Sequence, residues 1–285
     1  MQNLTDLSVI HALCEKYGFS LAKGYGQNFI VNPGICPKLC DAAGLTPESN
    51  VLEIGPGFGT LTAQLAQRAK KVVSLEVDPR LLPVLNETLA GFGNVTVLNQ
   101  DVLKCDLHAL VREYFDGPVQ VCANLPYYIT SPIVMLLLES RIPFTGITVM
   151  VQKEAAERLA AQPGTRQAGA ISYAVHYYTR PSLAFSVKPG SFYPPPKVTS
   201  AVVNLTPLAA PPLAHSPGRE KQLFALVRAA FGQRRKTLAN AASAGLGMPK
   251  QTLASALATA GIPPLARPEQ LTLQDFIRLQ QALWP

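Results

Sequence analysis

The chain has 285 residues, enough for one large domain and a second, smaller one. Of these, 48% are apolar and 15% are charged, which is typical of a globular protein with a sizeable core. The longest apolar run, residues 133–138, is far shorter than the roughly 20 residues that span a bilayer, and residues 1–19 lack a signal-peptide pattern. The composition therefore excludes a membrane protein, and we expect a cytoplasmic one.

The charge of the chain is unevenly distributed. The formal net charge is +7, and from residue 207 onward there are nine basic residues and three acidic ones. This asymmetry predicts a polyanionic partner for the C-terminal part, although a basic surface that serves only solubility would carry the same charge. The five cysteines and four histidines lack the spacing of a metal site, so we predict no metal.

Short apolar segments alternate with helical patterns along most of the chain. Strands are predicted at residues 51–54, 72–75, 95–98, 119–123 and 147–151, and helices at residues 61–68, 79–89, 132–139 and 153–161. This alternation predicts an α/β fold with a parallel sheet that helices cover on both faces. Extended segments near residues 185–187 and 198–205 predict an antiparallel hairpin that closes the sheet.

The pattern changes after a Pro- and Ala-rich stretch at residues 207–217, which we interpret as a linker. Helical patterns alone follow it, at residues 223–230, 253–260 and 271–283. We therefore predict two domains, residues 1–206 with the sheet and residues 207–285 as a small helical domain.

The first predicted strand runs into a glycine-rich turn. Gly55, Gly57 and Gly59 alternate with other residues, and such glycines let the backbone pass close to a ligand. The spacing differs from the dinucleotide-binding fingerprint and suits an adenosine that carries a sulfonium amino acid, which lacks a pyrophosphate. A tight turn without a ligand remains an alternative.

Acidic residues follow the next two predicted strands. Glu76 ends the second strand, where a carboxylate accepts hydrogen bonds from ribose hydroxyls, and Asp101 follows the third, within reach of an adenine amino group. The same arrangement is compatible with a nicotinamide-dependent dehydrogenase, so the sheet alone leaves the cofactor open.

The fourth predicted strand ends in Asn124-Leu125-Pro126-Tyr127. Pro126 holds the chain extended and Asn124 adds a side-chain acceptor. Tyr127 and the next residue, Tyr128, offer flat aromatic faces, so either of them is also a candidate for stacking on the base. Two acceptors beside an aromatic ring predict a seat for the exocyclic amine of a heteroaromatic base. A plain strand-to-helix turn is the alternative.

An aromatic and proline-rich segment occupies residues 192–198, with the sequence Phe-Tyr-Pro-Pro-Pro-Lys-Val. A stiff proline run presents its neighbouring rings at little entropic cost, and we predict that Phe192 stacks on a base extruded from RNA. The alternative is a loop that packs an aromatic side chain into the core.

Five motifs in this order resemble the ribosomal RNA adenine N6,N6-dimethyltransferases. They are Gly26-Gln-Asn-Phe-Ile30, the glycine turn from Glu53 to Gly59, Asn124 to Tyr127, Phe192 to Val198, and Gln233-Arg-Arg-Lys-Thr237. The chain is most similar to the small-subunit group of that family. The resemblance implies a class I (Rossmann-like) methyltransferase fold, S-adenosyl-L-methionine as cofactor, and dimethylation of two adjacent adenosines near the 3′ end of 16S rRNA, with a role in small-subunit assembly.

The resemblance also implies roles for individual residues. Asn28 and Ile30 would line the cofactor pocket with Gly55, Glu76 and Asp101, and Asn124 would lie between cofactor and target amine. Residues 1–206 would bind the cofactor, and residues 207–285 would bind RNA. The chain departs from the family pattern at Gly24-Tyr25, in the N-terminal loop, and at Ala239, where the family often has a basic residue, so we expect a weaker RNA contact there.

Basic residues of the C-terminal part recur at helical spacing. Lys221, Arg228 and Arg235 are seven apart, which would align them on one face of a helix that continues through Gly232. With Arg219, Arg234 and Lys236, they are predicted to form a phosphate-binding patch.

Three other functions remain open at this point. The nearest is a macrolide-resistance methyltransferase, which modifies large-subunit RNA by the same chemistry. The second is a ribosome-assembly factor whose binding matters more than its catalysis, and the third is the dehydrogenase. We expect a monomer.

Overall fold

The computed structural model of the chain describes residues 2–18, 28–233 and 235–285. The strands are β1 (Phe29–Ile30), β2 (Asn50–Ile54), β3 (Lys71–Glu76), β4 (Val95–Asn99), β5 (Val119–Asn124), β6 (Gly146–Gln152), β7 (Thr179–Val187), β8 (Phe192–Tyr193) and β9 (Ser200–Pro207). The helices are α1 (Leu7–Lys16), α2 (Ile35–Ala43), α3 (Thr60–Ala66), α4 (Leu82–Thr88), α5 (Leu107–Tyr114), α6 (Thr130–Glu139), α7 (Lys153–Ala160), α8 (Ala170–Tyr178), α9 (Pro217–Phe231), α10 (Leu238–Leu246), α11 (Lys250–Thr259) and α12 (Leu273–Leu283).

A seven-stranded sheet in the order β4-β3-β2-β5-β6-β9-β7 forms the centre of the first part of the chain. The strands from β4 to β6 pair in parallel, and β9 pairs with β6 in antiparallel orientation. The predicted α/β sheet is therefore confirmed. A separate two-stranded sheet joins β1 to β8, with Ile30 opposite Phe192.

A buried carboxyl group links β2 to its neighbours. All five residues of β2 are buried, as expected for a central parallel strand, and Glu53 is among them. Its Oε2 accepts hydrogen bonds from Thr62 Oγ1 on α3 at 2.7 Å and from Ser74 Oγ on β3 at 2.6 Å. Glu53 thus fixes the segment between β2 and α3 against β3. Burial raises the pKa of the Glu53 carboxyl to about 7.

The N-terminal helix α1 packs behind the turn that follows β2. Ile10 and Leu13 belong to one buried cluster with Phe29 and Phe58, and Thr60 Oγ1 donates to the Leu4 carbonyl at 3.3 Å. This packing supports the turn.

The chain divides into two compact units, and the division differs from the single boundary expected after residue 206. The first comprises Met1–Ala156 and Ser182–Pro207, and the second Glu157–Pro181 and Leu208–Pro285. The second unit gains residues 157–181 because α8 packs on its helices. Tyr177 and Tyr178 donate to the buried Glu220 carboxylate at 2.9 and 2.7 Å, and Tyr173 bonds the Pro268 carbonyl at 3.1 Å.

The helices do not have the properties of membrane spans. Within residues 2–18, 28–233 and 235–285, no helix is both long and apolar enough to cross a bilayer.

The raised pKa of Glu53 predicts a pH-dependent stability. In the fold this carboxyl keeps a proton up to about pH 7, whereas in the unfolded chain it ionises near its ordinary pKa of 4.5. Its contribution to stability is therefore fully present below that ordinary pKa and is lost as pH rises through the folded pKa. Glu53→Gln removes this titration. We expect the unfolding free energy of the wild type, relative to that of Glu53→Gln, to fall by about 2–3 kcal/mol between pH 5 and pH 8.

Urea unfolding of both proteins at the two pH values measures this difference. Glu139→Gln, at an exposed position of α6, controls for the loss of one carboxylate. A difference that stays constant with pH would show that Glu53 is already ionised in the fold.

Candidate active site

One cavity lies where the carboxyl ends of four adjacent parallel strands meet. Each strand end contributes part of its lining, and β1 adds a fifth segment. The lining residues include 28–30, 54–58, 75–77, 100–102 and 124–129. The sequence prediction that separate strand ends build one site is thus realised in the geometry of this unit.

The glycine turn after β2 lines the cavity. Gly55, Gly57 and Gly59 have φ values of 75°, 60° and 88°, a region that residues with a Cβ rarely adopt. A Cβ added at Gly57 would lie 3.1 Å from Phe29 Cε1, whereas one at Gly55 would meet no protein atom within 4 Å among the described residues. Gly57 packs closely against Phe29 of β1, and Gly55 leaves room for a ligand.

Glu76 lies at the end of β3 and is 3% exposed. Its Oε1 accepts from the Asp78 backbone N–H at 2.9 Å, and its Oε2 faces the Gly57 N–H at 3.4 Å. Burial raises the pKa of the Glu76 carboxyl, and the two backbone donors oppose that rise. These bonds fix the carboxylate beside the glycine turn, in the cavity lining.

Asp101 lies beyond β4 and also lines the cavity. Its Oδ1 accepts from the Leu103 N–H at 3.0 Å and so caps a short 3-10 turn, while Lys104 Nζ lies 3.7 Å from Oδ2. Asp101 therefore stabilises this turn and also lines the cavity.

The amine seat predicted from the sequence lines the same cavity. Leu125 is buried, and its N–H donates to the Met150 carbonyl at 3.0 Å, which holds the turn against β6. Asn124 Nδ2 donates to the Asn28 carbonyl at 3.3 Å, so its Oδ1 remains the end of the amide that accepts. The Pro126 carbonyl accepts from Thr130 Oγ1 at 3.3 Å and from the Ile129 N–H at 3.2 Å.

Three aromatic residues were candidates for stacking, and their surroundings differ. Tyr127 and Tyr128 both line the cavity; Tyr128 is 62% exposed, while Tyr127 is half-buried with its hydroxyl 2.5 Å from Ser200 Oγ. Phe192 is 2% exposed and packs in a core cluster with Ile30. Phe192 is not part of the cavity lining, so this geometry does not support stacking of its ring on a base and fits the alternative of a loop that packs an aromatic side chain into the core.

Some lining residues came from the resemblance or were missed. Asn28 and Ile30 line the cavity, as the resemblance implied. The missed residues Val77 and Val102 are apolar and follow the two acidic strand ends, so only their position next to Glu76 and Asp101 in the sequence signals them. Residues 24 and 25 lie outside the described residues.

The lining suits S-adenosylmethionine. The open space at Gly55 admits a ligand against the backbone, Glu76 and Asp101 supply carboxylates for hydroxyl and amino donors, and apolar side chains such as Leu61 and Val102 form the walls. When bound, this cofactor supplies a methyl group on a positively charged sulfur, which is a good leaving group.

The predicted basic patch is only partly arranged as expected. Lys221 and Arg228 are exposed on α9, two turns apart. Gly232 ends this helix after Phe231, so Arg235 does not continue their face; with Lys236 it lies exposed between α9 and α10. The condition for aligning the three basic residues, a helix that continues through Gly232, is therefore not met, and Arg234 lies outside the described residues.

The charge separates between the two compact units. The second unit contains twelve basic and four acidic residues, against thirteen and fourteen in the first. All basic side chains of the second unit that the structure describes are exposed. The net positive charge of the chain thus belongs to the second unit, residues 157–181 and 208–285, which we call the helical unit.

Comparison with known proteins agrees with this geometry. The chain is 45% identical over 281 residues to the ribosomal RNA small subunit methyltransferase A of Alkaliphilus metalliredigens, covering 98% of this chain and 97% of that one. It is 48% identical to the protein of the same name from Bacillus cereus, covering 95% and 94%.

Solved structures resemble the chain over most of its length. A dimethyladenosine transferase from Plasmodium falciparum matches with a TM-score of 0.69 and 28% identity, covering 88% of this chain and 95% of that one. The 23S rRNA methyltransferase ErmE matches with a TM-score of 0.67 and 28% identity, covering 90% and 99%. The expected class I methyltransferase fold is confirmed. Since residues 18–283 match the family described as ribosomal RNA adenine dimethylase, the chain belongs to that family.

Proposed function

We propose that this enzyme dimethylates the N6 amino groups of two adjacent adenosines near the 3′ end of small-subunit (16S) rRNA, and that it acts during small-subunit assembly. As a member of its family it uses S-adenosylmethionine as methyl donor. The main support is the similarity, 45–48% over at least 95% of the chain, to proteins named for the small ribosomal subunit. The amine seat at the end of β5 supplies the chemical reason for an amino group as target.

The amine seat acts mainly by positioning. The lone pair of an adenine amino nitrogen is delocalised into the ring, so the nitrogen is a poor nucleophile. Acceptors for its two hydrogens, Asn124 Oδ1 and a backbone carbonyl of the following turn, favour a pyramidal nitrogen and direct the lone pair toward the methyl donor. Because the leaving group is good, no strong base is needed.

Tyr127 is the aromatic residue that we assign to the target base. Its ring lines the cavity three residues beyond Asn124, and its hydroxyl is anchored. Two neighbouring adenines have the same aromatic ring face, so either of them can stack on this ring in turn. We assign the more exposed Tyr128 to contact with the RNA that flanks the base.

The helical unit is the proposed binding surface for RNA phosphates. Its exposed basic side chains include Lys221 and Arg228 on α9 and Arg235 and Lys236 beyond it. Phosphate contacts of this kind give affinity without sequence selectivity, so the choice of adenosine falls to the seat and to the shape of the RNA. Because its substrate is ribosomal RNA, we expect the enzyme to act in the cytoplasm. We also expect it to act as a monomer.

Methylation of the large subunit is the alternative with the same chemistry. The 23S rRNA methyltransferase ErmE is only 28% identical to this chain, against 45% or more for the small-subunit relatives. An assembly factor with incidental catalysis would not need the cofactor cavity and the amine seat together, and both are present in one unit.

The choice of subunit is tested by methyl transfer to two substrates. We expect incorporation of four methyl groups per unmethylated 30S particle and no more than background with free 23S RNA under the same conditions. Preference for 23S RNA would contradict the proposed substrate and favour the large-subunit alternative.

Asn124→Ala tests the amine seat. Removal of one acceptor should lower the methylation rate at least about 100-fold while leaving cofactor affinity within a few-fold, because Gly55, Glu76 and Asp101 still line the cofactor cavity. Single-turnover kinetics and calorimetric titration measure the two quantities. Asn94→Ala, outside the cavity on the β3–β4 side, is the matched control. Full activity of Asn124→Ala would remove the seat from the mechanism.

Salt dependence tests the RNA surface. Removal of one phosphate-binding cation should reduce the slope of log affinity against log salt by roughly 0.7–0.9. We expect at least this change for Arg228→Glu and for Arg235→Glu, measured by filter binding to 30S particles at several salt concentrations. Lys38→Glu, exposed on α2 in the first unit, changes net charge equally and should leave the slope unchanged. Equal slopes for all three variants would place the RNA-binding surface elsewhere.

A further inference from the structure

A buried serine hydroxyl meets the aromatic residue of the amine seat. Ser200 is the first residue of β9 and is fully buried, and its Oγ lies 2.5 Å from the Tyr127 hydroxyl oxygen. We infer that Ser200 is a positioning residue for methyl transfer, which holds the Tyr127 ring at the angle needed to stack on the target adenine. The inference rests on the proposed function, because it assigns a role within the same seat.

The geometry of a phenol explains how one hydrogen bond fixes a ring. Rotation of a tyrosine ring about the bond that joins it to Cβ is otherwise loosely restrained. The phenolic O–H bond prefers the ring plane, because an oxygen lone pair is conjugated with the ring. A fixed partner for that hydroxyl therefore restrains both the tilt of the ring and its rotation, and so the orientation of its stacking face.

Ser200 is held by the same strand that holds the seat. It pairs with Gln152 at the end of β6, and Met150 of β6 pairs with Asn124 and accepts from the Leu125 N–H at 3.0 Å. The amide of Asn124 and the ring of Tyr127 are thus set by one rigid frame. Such a frame suits a reaction in which a misplacement of about 1 Å is costly.

The bond also gives the aromatic and proline-rich segment a link to the site. This segment ends at Val198, two residues before Ser200. The ring of Phe192 is in the core. We therefore infer that the segment is linked to the cavity by the strand that follows it, through the bond between Ser200 and Tyr127. Burial raises the pKa of the Tyr127 hydroxyl, so the hydroxyl stays protonated and can donate a hydrogen bond to the serine.

The inference predicts a specific kinetic effect for Ser200→Ala and Tyr127→Phe. Each variant removes one side of the bond and leaves the ring in place. We expect kcat for 30S methylation to fall about 3–10-fold in each, while the KM for S-adenosylmethionine stays within twofold. The double variant should be no slower than either single one, because both remove the same interaction. Single-turnover rates and melting temperatures are measured for all three.

Ser191→Ala is the matched control. Ser191 is also a buried serine of this unit, but its Oγ accepts from Asn32 Nδ2 at 3.3 Å, and neither residue lines the cavity. We expect its kcat to equal that of the wild type. Should Ser200→Ala disturb folding, Tyr127→Phe tests the same bond without altering the buried strand.

Three outcomes would overturn the inference. They are a wild-type kcat in Ser200→Ala or Tyr127→Phe, additive rate decreases in the double variant, or an effect that falls on the KM for the cofactor or on the melting temperature alone. The proposed function survives all three as long as the wild type methylates 30S particles. A wild type that fails to do so overturns both.

Discussion

Parallel pairing of four adjacent strands is the constraint on which the whole site depends. Because β4, β3, β2 and β5 run in the same direction, their carboxyl ends meet at one edge, and each delivers a different group there. Glu53 reinforces this arrangement, since its carboxyl group joins the strand before the glycine turn to the strand that carries Glu76. A slip of one residue in any strand would turn its terminal side chain to the other face of the sheet.

The sequence predicts this part of the structure well because each feature is local. Left-handed turns require glycine, buried parallel strands require apolar runs, and polar residues directly after such runs must lie at the strand ends. Gly55, Glu76, Asp101 and Asn124 could therefore be placed from their own neighbours in the chain. Asn28 could not, because β1 pairs with β8, which is more than 160 residues away; only the family resemblance pointed to it.

The features that the sequence does not reveal depend on contacts between distant segments or on where a helix ends. Phe192 stands in a loop that looks exposed in sequence, but burial of a phenylalanine stabilises the fold by about 2–3 kcal/mol, and β1 offers the partner. Alignment of Arg235 with Arg228 requires a helix that continues through Gly232, but the helix ends at Phe231 with Gly232 as its C-cap. The segment from residue 157 to 181 joins the helical unit because buried tyrosine hydroxyls and Glu220 satisfy one another, a pairing that no local pattern reveals.

The separation of charge between the two units follows from the opposite requirements of cofactor and substrate. A cationic cofactor favours carboxylates at its cavity, and Glu76 and Asp101 are there. Carboxylates repel phosphates, and the basic residues that we propose as RNA contacts belong to the second unit. The adenine base is neutral, so the mechanism that we propose recognises it by hydrogen-bond acceptors and an aromatic ring rather than by charge.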